Sequence, residues 1–169
     1  MQISGLQEQK KELKHLQTGE LVELCLRLGR YKKENKELLN YLLFHQHDPA
    51  AYTEAIKTDL EIEFANLNPQ SYYTTKSLRK ILRVIGRQAK YIAQPELEAD
   101  LLLWFCRQYL EYVDLKTGNK ALQNLLVRQL EKIGKIAGKM HEDLQFDIRQ
   151  ELDKLHNLAL HKTNWYKYL

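Results

Sequence analysis

Apolar residues recur every three or four positions along almost the whole chain, and no segment alternates apolar and polar residues as strands do. This periodicity predicts an all-α protein without a sheet. Asp48-Pro49 and Gln94-Pro95 are helix start signals, because Asp caps free N–H groups and proline at the first helical position has none to satisfy. Thr18 is the expected cap of the second helix. The predicted helices span about 6–16, 18–29, 32–45 (a separate helix or a continuation), 49–66, 76–92, 95–112, 120–139 and 142–160.

One pattern occurs three times, with three apolar residues at helical spacing followed by a glycine and a basic residue, at residues 21–30, 78–87 and 130–139. Repeated units of this kind favour antiparallel helical hairpins in a short HEAT-like or solenoid array, where each hairpin covers its neighbour. A glycine inside a helix costs about 1 kcal/mol relative to alanine, so we expect each one to let two helix backbones approach closely. Since any amphipathic helix has this apolar spacing, a compact helical bundle is the alternative.

The length of 169 residues fits one domain, and we predict a single helical domain over residues 1–169. Residues 1–17 are a candidate peripheral helix, and residues 163–169 form an aromatic tail. Helical spacing places Trp104, Phe105, Tyr109 and Tyr112 in the core. We expect the tail to fold back on the last helix pair, because exposed aromatic clusters are uncommon on monomers, although a free tail would suit a partner's groove. Its apolar residues are Trp165, Tyr166, Tyr168 and Leu169.

The cysteines and the apolar runs indicate the cellular compartment in which the protein is expected. Cys25 and Cys106 lie inside apolar helical patterns, where a thiol behaves as a small hydrophobe, so both are expected in the core and a reducing cytoplasm is the simpler inference. The first residues have no apolar run behind their basic positions, which does not fit a secretory signal. The longest apolar run, residues 101–106, is too short to span a bilayer, so no membrane partner is expected.

Charge becomes informative through its distribution. Lysine and arginine exceed aspartate and glutamate by 26 to 22, which is too little to indicate a nucleic-acid or membrane partner. On a helical wheel, however, two groups of cations each fall within about 100° of arc. No Asp or Glu occurs between Glu63 and Glu96. The groups are basic stripe 1 (Lys76, Arg79, Lys80, Arg83, Arg87 and Lys90) and basic stripe 2 (Arg128, Lys132, Lys135 and Lys139).

Like charges at this spacing repel by a few tenths of a kcal/mol per pair, so we expect something acidic to face the stripes. An acidic protein surface would satisfy the charges. A nucleic-acid backbone, bound weakly and without sequence preference, would also do so. Pairing within the molecule is the third interpretation, because acidic residues flank stripe 1 in the sequence. They are Asp59, Glu61 and Glu63 before it and Glu96, Glu98 and Asp100 after it.

Catalytic chemistry has little support in the sequence. The six histidines are scattered, and none belongs to a His-x-x-x-His pair. The fragments Glu12-Leu-Lys-His15 and Asp153-Lys-Leu-His156 each match half of a di-iron helix motif, which also needs inward glutamates on other helices. At the junction before the fourth helix, His47 or Asp48 is better explained as a cap than as a metal ligand. We therefore expect no metal, no cofactor and no enzymatic activity, and we keep a metal-dependent enzyme as an alternative.

The segment from Glu20 to Leu28, the following Glu34-Asn-Lys-Glu-Leu-Leu39 and the closing Trp165-Tyr166 resemble an uncharacterised family of small all-helical bacterial proteins. The resemblance covers mainly residues 18–68 and the tail, and it brings no known activity. The leading hypothesis is a non-enzymatic helical protein–protein interaction domain. Weak nucleic-acid binding through the basic stripes is the alternative, and the oligomeric state stays open.

Overall fold

The computed structural model describes residues 3–114, 116 and 118–166. Within these residues the chain forms eight α-helices and no strand, so the predicted all-α fold class is confirmed. In this part of the chain, no helix combines the length and the apolar character that crossing a bilayer requires. The helices are α1 (Leu6–His15), α2 (Thr18–Tyr31), α3 (Lys33–Phe44), α4 (Pro49–Ala65), α5 (Ser71–Ile92), α6 (Pro95–Tyr112), α7 (Lys120–Ala137) and α8 (Glu142–Lys162).

The starts of α4 and α2 show how local signals set helix ends. The Asp48 carboxylate accepts a hydrogen bond from the amide of Ala51 at 3.0 Å, and the proline after Asp48 begins α4. This confirms the predicted start, because the carboxylate satisfies an N–H group that has no partner within the helix. The prediction of Thr18 as a cap is wrong by one position. Thr18 is the first helical residue, and the Gln17 amide before it donates to Glu20 Oε2 at 2.8 Å.

α5 begins at Ser71, whereas the sequence predicted a polar loop that continued to Thr75. Two buried threonines explain the difference. The Thr74 hydroxyl donates to the carbonyl of Gln70 at 3.0 Å, and the Thr75 hydroxyl donates to the carbonyl of Ser71 at 2.7 Å. These bonds satisfy the hydroxyl groups inside the helix, so both residues can be buried in its first turns without an unsatisfied polar group.

The chain divides into two compact units, residues 1–47 and residues 48–169. The sequence predicted one domain and gave no sign of this boundary, because helical periodicity continues on both sides of it and no composition shift marks it.

The N-terminal unit is built on a hairpin in which α2 packs against α3. Gly29 permits a close contact there, since a Cβ atom at this position would lie 3.4 Å from Leu39 Cδ2. Asn35 Nδ2 also donates to the carbonyl of Leu28 at 2.9 Å and ties the start of α3 to the end of α2. Among the described residues of this unit, Tyr41 alone is buried. The hairpin therefore has almost no core of its own.

The C-terminal unit is organised around α6, which packs against α4, α5, α7 and α8. The predicted core positions Trp104, Phe105 and Tyr109 are buried, and the rings of Trp104 and Phe105 each lie 5.6 Å from that of Phe64. Tyr112 is 50% exposed, so its predicted place in the core is wrong. It lies in the last turn of α6, and its ring centroid is 6.1 Å from that of Phe64.

The two cysteines have different surroundings, although the sequence placed both in the core. Cys106 is fully buried on α6, and this burial raises the pKa of its thiol. Cys25 is exposed on α2, so the prediction is wrong for this residue. α2 packs against α3, whereas α6, which carries Cys106, packs against four helices.

The three glycines of the repeated pattern do not share a structural role. Gly29 faces Leu39, but a Cβ atom on Gly86 would meet nothing within 4 Å. α7 ends at Ala137, and Gly138 is the C-cap residue that follows it. A Cβ atom on Gly138 would lie 3.5 Å from the carbonyl oxygen of Gly134 in the same helix. The expected approach of two backbones is therefore wrong at Gly86 and Gly138. The stacked-hairpin array stays a prediction.

The described part of the aromatic tail, residues 163–166, docks on α8. Tyr166 is buried, and a hydrogen bond joins its hydroxyl to Nδ1 of His156. The Tyr166 amide donates to Thr163 Oγ1 at 3.1 Å, which closes a turn directly after the helix. The ring of half-buried Trp165 lies edge-on, 6.0 Å from that of Tyr166. The predicted docking is thus confirmed for Tyr166, whereas Tyr168 and Leu169 lie outside the described residues.

Candidate functional site

Basic stripe 1 lies on the outer face of an amphipathic helix, as its spacing predicted. The apolar positions opposite it, including Leu78, Ile81 and Ile85, are buried against the rest of the C-terminal unit. Arg87 is the exception among the cations, because it is half-buried. The exposed members of the stripe are Lys76, Arg79, Lys80, Arg83 and Lys90.

Basic stripe 2 is shorter than the sequence indicated. Arg128, Lys132 and Lys135 are exposed on α7, but Lys139 lies in the turn that follows the helix, because α7 ends at Ala137. Lys139 is exposed as well. The second stripe therefore has three members on one helix face and a fourth beyond its end.

Two cations of the stripes are neutralised within the molecule. Lys80 Nζ lies 2.9 Å from Glu63 Oε1 of α4, and Lys132 Nζ lies 2.7 Å from Glu98 Oε1 of α6. The predicted pairing of stripe 1 with its flanking acidic residues is confirmed for Lys80, whereas Glu98 pairs with Lys132 of stripe 2, which the sequence did not predict. Seven further stripe residues have no ion pair with any described residue. They are Lys76, Arg79, Arg83, Lys90, Arg128, Lys135 and Lys139.

Asp100, another of the flanking acidic residues, is engaged elsewhere. Its Oδ2 lies 2.6 Å from Lys57 Nζ, which also lies 2.6 Å from Glu54 Oε1. Burial disfavours the charge of Lys57, but the hydrogen bonds with Asp100 and Glu54 outweigh it and raise the pKa of the amine. Asp100 thus joins α6 to α4 and does not compensate either stripe.

α5 and α7 are neighbours, and cations from both line a shared surface. Arg79 and Arg128 line one cleft of about 340 Å³ between the two helices. Lys76, Arg79 and Arg83 line an adjoining depression of about 480 Å³. We define these four residues, Lys76, Arg79, Arg83 and Arg128, as the basic cleft. The uncharged residues around it are Ser71, Tyr72, Thr75, Leu82, Asn119, Ala121, Asn124, Leu125 and Gln129.

Helix ends add to the positive potential of the basic cleft. Ser71 and Tyr72 from the first turn of α5, and Asn119 and Ala121 from the start of α7, line the same depression. The N-terminal end of a helix carries the positive end of its macrodipole. Neither first turn contains an acidic residue, and among the described residues no carboxylate lines either depression. The cleft is therefore suited to hold anions.

The chemistry of the basic cleft is that of binding. Guanidinium groups donate parallel N–H bonds to a carboxylate or phosphate, and the side-chain amides of Asn124 and Gln129 are further donors nearby. None of the lining residues is a histidine, a cysteine or a carboxylate. Across the described part of the chain, no three histidine, cysteine, aspartate or glutamate residues are grouped to hold a metal ion. The half-motif residue His156 instead bonds to Tyr166.

Sequence analysis missed Tyr72, Asn124 and Gln129 as parts of this surface. These residues carry no charge, and their positions acquire meaning only when α5 and α7 lie side by side. The absence of acidic residues between Glu63 and Glu96 was a usable signal for α5. No comparable signal in the sequence pairs Arg79 with Arg128.

A second exposed surface belongs to the N-terminal unit. Large apolar side chains on all three of its helices, and before α1, are more than a third exposed. This differs from the basic cleft, where the apolar face of α5 is buried and the exposed side chains include the cations. The exposed residues are Ile3, Leu6, Leu13, Val22, Leu24, Leu26, Leu28, Tyr31, Leu42, Leu43 and Phe44.

Similarity to known proteins adds nothing to these observations. No protein-family model, no curated protein and no solved structure matches the chain.

Proposed function

We propose that the protein is a non-enzymatic helical protein–protein interaction domain that binds an acidic segment of its partner in the basic cleft. The observation that carries the proposal is that Arg79 of α5 and Arg128 of α7 line one cleft that has no carboxylate. Each guanidinium presents a planar fork of N–H donors that matches a carboxylate. Two such groups on neighbouring helices suit a segment with at least two acidic side chains.

The mixed lining of the cleft supports a peptide ligand. Leu82, Ala121 and Leu125 line the cleft together with the two arginines, and so do the side-chain amides of Asn124 and Gln129. A combination of apolar and polar lining groups is the usual composition of a recognition site. A segment in which acidic residues flank one or two apolar residues would fill both parts of the cleft.

The distribution of paired cations favours a short acidic segment over a nucleic-acid duplex. Lys80, on the α4 side of α5, is held by Glu63, while Arg79, on the α7 side, has no ion pair with a described residue. Lys132, one turn after Arg128, is held by Glu98. A duplex needs cations that follow successive phosphates, and carboxylates beside them oppose its binding. The uncompensated charge is instead concentrated in the cleft.

One observation favours a second candidate, the binding of single-stranded nucleic acid. Tyr72 lines the depression beside Lys76 and Arg79, and it is 71% exposed. Proteins that bind single strands without sequence preference combine cationic grooves with aromatic rings on which bases stack. Tyr72 would serve as the stacking ring and the cleft cations would contact the phosphates.

Fluorescence anisotropy with defined probes tests both candidates. The probe for the proposed function is a short labelled peptide of glutamates and aspartates interrupted by leucines, and its control replaces the acids with their amides. We expect the acidic peptide to bind and the amide peptide not to bind. Arg79→Glu with Arg128→Glu should weaken binding at least tenfold, because each charge-assisted hydrogen bond contributes about 1.5–3 kcal/mol. The probe for the second candidate is a labelled single-stranded oligothymidine at low salt.

A matched variant separates the cleft from net charge. Lys135→Glu with Lys139→Glu changes the charge by the same amount at exposed positions that do not line the basic cleft. Equal losses in both double variants would contradict a role for the cleft. Binding of oligothymidine alone, with a loss on Tyr72→Ala, would replace the proposed function with the second candidate. Absence of binding to either probe at low salt would reject both.

A further inference from the structure

A groove runs between α2 and α3 in the N-terminal unit. The groove has a volume of about 640 Å³. Its apolar lining is formed by Leu26, Leu39, Leu43 and Phe44. Leu43 is 62% exposed and Phe44 is 61% exposed, so two large side chains stand open to solvent within one helical turn. Exposed apolar side chains grouped in a groove are typical of interaction sites.

The charged residues of this groove are all cationic. Arg30, Lys32, Lys33 and Lys36 line it at the turn that joins the two helices, and no carboxylate lines it. Lys33 has a weak ion pair with Glu37 on its own helix, at 3.8 Å. The other three cations have no ion pair with any described residue. The groove is therefore positive at its turn end and apolar toward Leu43 and Phe44.

A macromolecule fits this surface better than a small anion. α2 continues the groove face for another turn, because Val22 precedes Leu26 by four positions and is 51% exposed. Covering each such side chain is favourable in proportion to its apolar area, so a ligand that lies along the whole hairpin gains most. An amphipathic helix offers apolar residues at this spacing. A second copy of this chain fits poorly, since two like grooves face to face would bring their cations together.

We propose that the α2–α3 groove docks an amphipathic helix of a partner protein. The apolar face of that helix covers Leu26, Leu39, Leu43 and Phe44, and carboxylates at one end of it pair with the cations at the turn. The partner chemistry follows from charge complementarity, because a cationic rim without acidic residues selects a helix with acidic flanks. This inference does not rest on the basic cleft, which belongs to the other unit.

The test uses the full chain and a labelled synthetic peptide, with leucines at helical spacing and glutamates clustered at one end. A control peptide has the same composition but leucines spread around the helix. We expect the first peptide to bind and the control to bind at least tenfold more weakly. Leu43→Ala with Phe44→Ala should weaken binding at least tenfold, whereas Leu42→Ala should not change it. Leu42 lies on the same helix and is exposed, but it does not line the groove.

Charge variants distinguish this site from the basic cleft. Arg30→Glu with Lys36→Glu, made in the Arg79→Glu, Arg128→Glu background so that the basic cleft cannot hold the acidic end of the peptide, should abolish binding of the amphipathic peptide. Far-UV circular dichroism of each variant checks that the helices persist, which we expect because all four side chains are exposed. Equal binding of the two peptides would overturn the inference. It would also be overturned if Leu43→Ala with Phe44→Ala had no effect on binding, or if sedimentation showed a dimer that this variant dissolves.

Discussion

The N-terminal hairpin and the C-terminal unit are built from helices with the same apolar periodicity, yet they bury it to very different extents. Around α6, four helices cover almost every side, and Phe105 and Cys106 are completely buried. In the hairpin, α2 packs against α3 alone, and Tyr41 is the one buried side chain among the described residues of its unit. The comparison shows that the number of neighbours around a helix decides burial. Periodicity only decides which face is available.

The two proposed surfaces also differ in the kinds of interaction that they offer a ligand. In the C-terminal unit the apolar face of α5 is buried, so the basic cleft offers mainly charge and hydrogen-bond donors. In the hairpin, cations border apolar residues that remain exposed. Binding in the cleft should therefore depend steeply on salt, whereas binding in the groove should retain a salt-independent apolar contribution.

Hydrogen exchange should give the largest contrast between the units. Amides in the middle of α6 should exchange only through unfolding of the C-terminal unit, which for a domain costs about 5–15 kcal/mol. Amides of α2 and α3 should exchange through local opening and be faster by several orders of magnitude. Exchange measured by mass spectrometry on the full chain checks this. Comparable protection of α2 and α6 in the isolated protein would mean that the apolar surface of the hairpin is already covered.

Core truncation should give the next largest contrast. Phe105 is fully buried against the ring of Phe64, so Phe105→Ala should lower the free energy of unfolding by about 3–5 kcal/mol. Leu43→Ala removes an exposed side chain and should change it by no more than about 0.5 kcal/mol. Urea unfolding measures both. Fluorescence of Trp104 and Trp165 reports on the C-terminal unit, and circular dichroism reports on the whole chain. A large loss in Leu43→Ala would contradict the open hairpin.

The smallest expected effect is a pH dependence in the C-terminal unit. Burial lowers the pKa of His156 below its ordinary value of 6.5, although Asp153 partly opposes this shift. The folded state therefore favours the neutral imidazole. This preference stabilises the folded protein fully above the unfolded-state pKa, and the stabilisation is lost as pH falls from there through the lower folded-state pKa. Stability should decline as pH falls from the ordinary pKa of 6.5 toward the lower pKa of the folded state, and less so in His156→Gln. Urea midpoints of both proteins across this range measure the difference.

A second pH effect, at the carboxylate of Glu151, lies in a more acidic window and serves as an internal control. Hydrogen bonds with Lys154 and then with Arg107 lower the pKa of Glu151. The stabilisation is present above the ordinary pKa of the carboxyl and is lost only as pH falls below it. His156→Gln should leave this more acidic decline unchanged. Identical pH profiles for both proteins above pH 5 would contradict the role of His156.

Much of the helical layout follows from local rules. Asp48-Pro49 fixed the start of α4, and the predicted starts of α6, α7 and α8 agree with the structure. The opposition of cations and apolar residues on α5 was also predictable from spacing alone. The early start of α5 was not, because Thr74 and Thr75 look like loop residues until their hydroxyls are seen bonded to preceding carbonyls.

The candidate sites were predictable only in part. Basic stripe 1 was predictable from the sequence. The sequence did not predict that Lys80 pairs with Glu63 while Arg79 lies beside Arg128 in the cleft. The hairpin groove went unnoticed, because a leucine pattern such as that of α2 predicts a buried face by default. No local signal states how many helices will pack on that face.

The sequence by itself determined that the chain is helical, which face of each helix is apolar and where most helices begin, because capping and periodicity act within a few residues. Tertiary structure decided which apolar faces are covered, which cations meet a carboxylate and which remain open. These outcomes depend on contacts between residues far apart in the chain, such as Lys80 with Glu63 and Lys132 with Glu98. Such ion pairs form only when the helices pack together, so the spacing of the charged residues along the chain does not predict them.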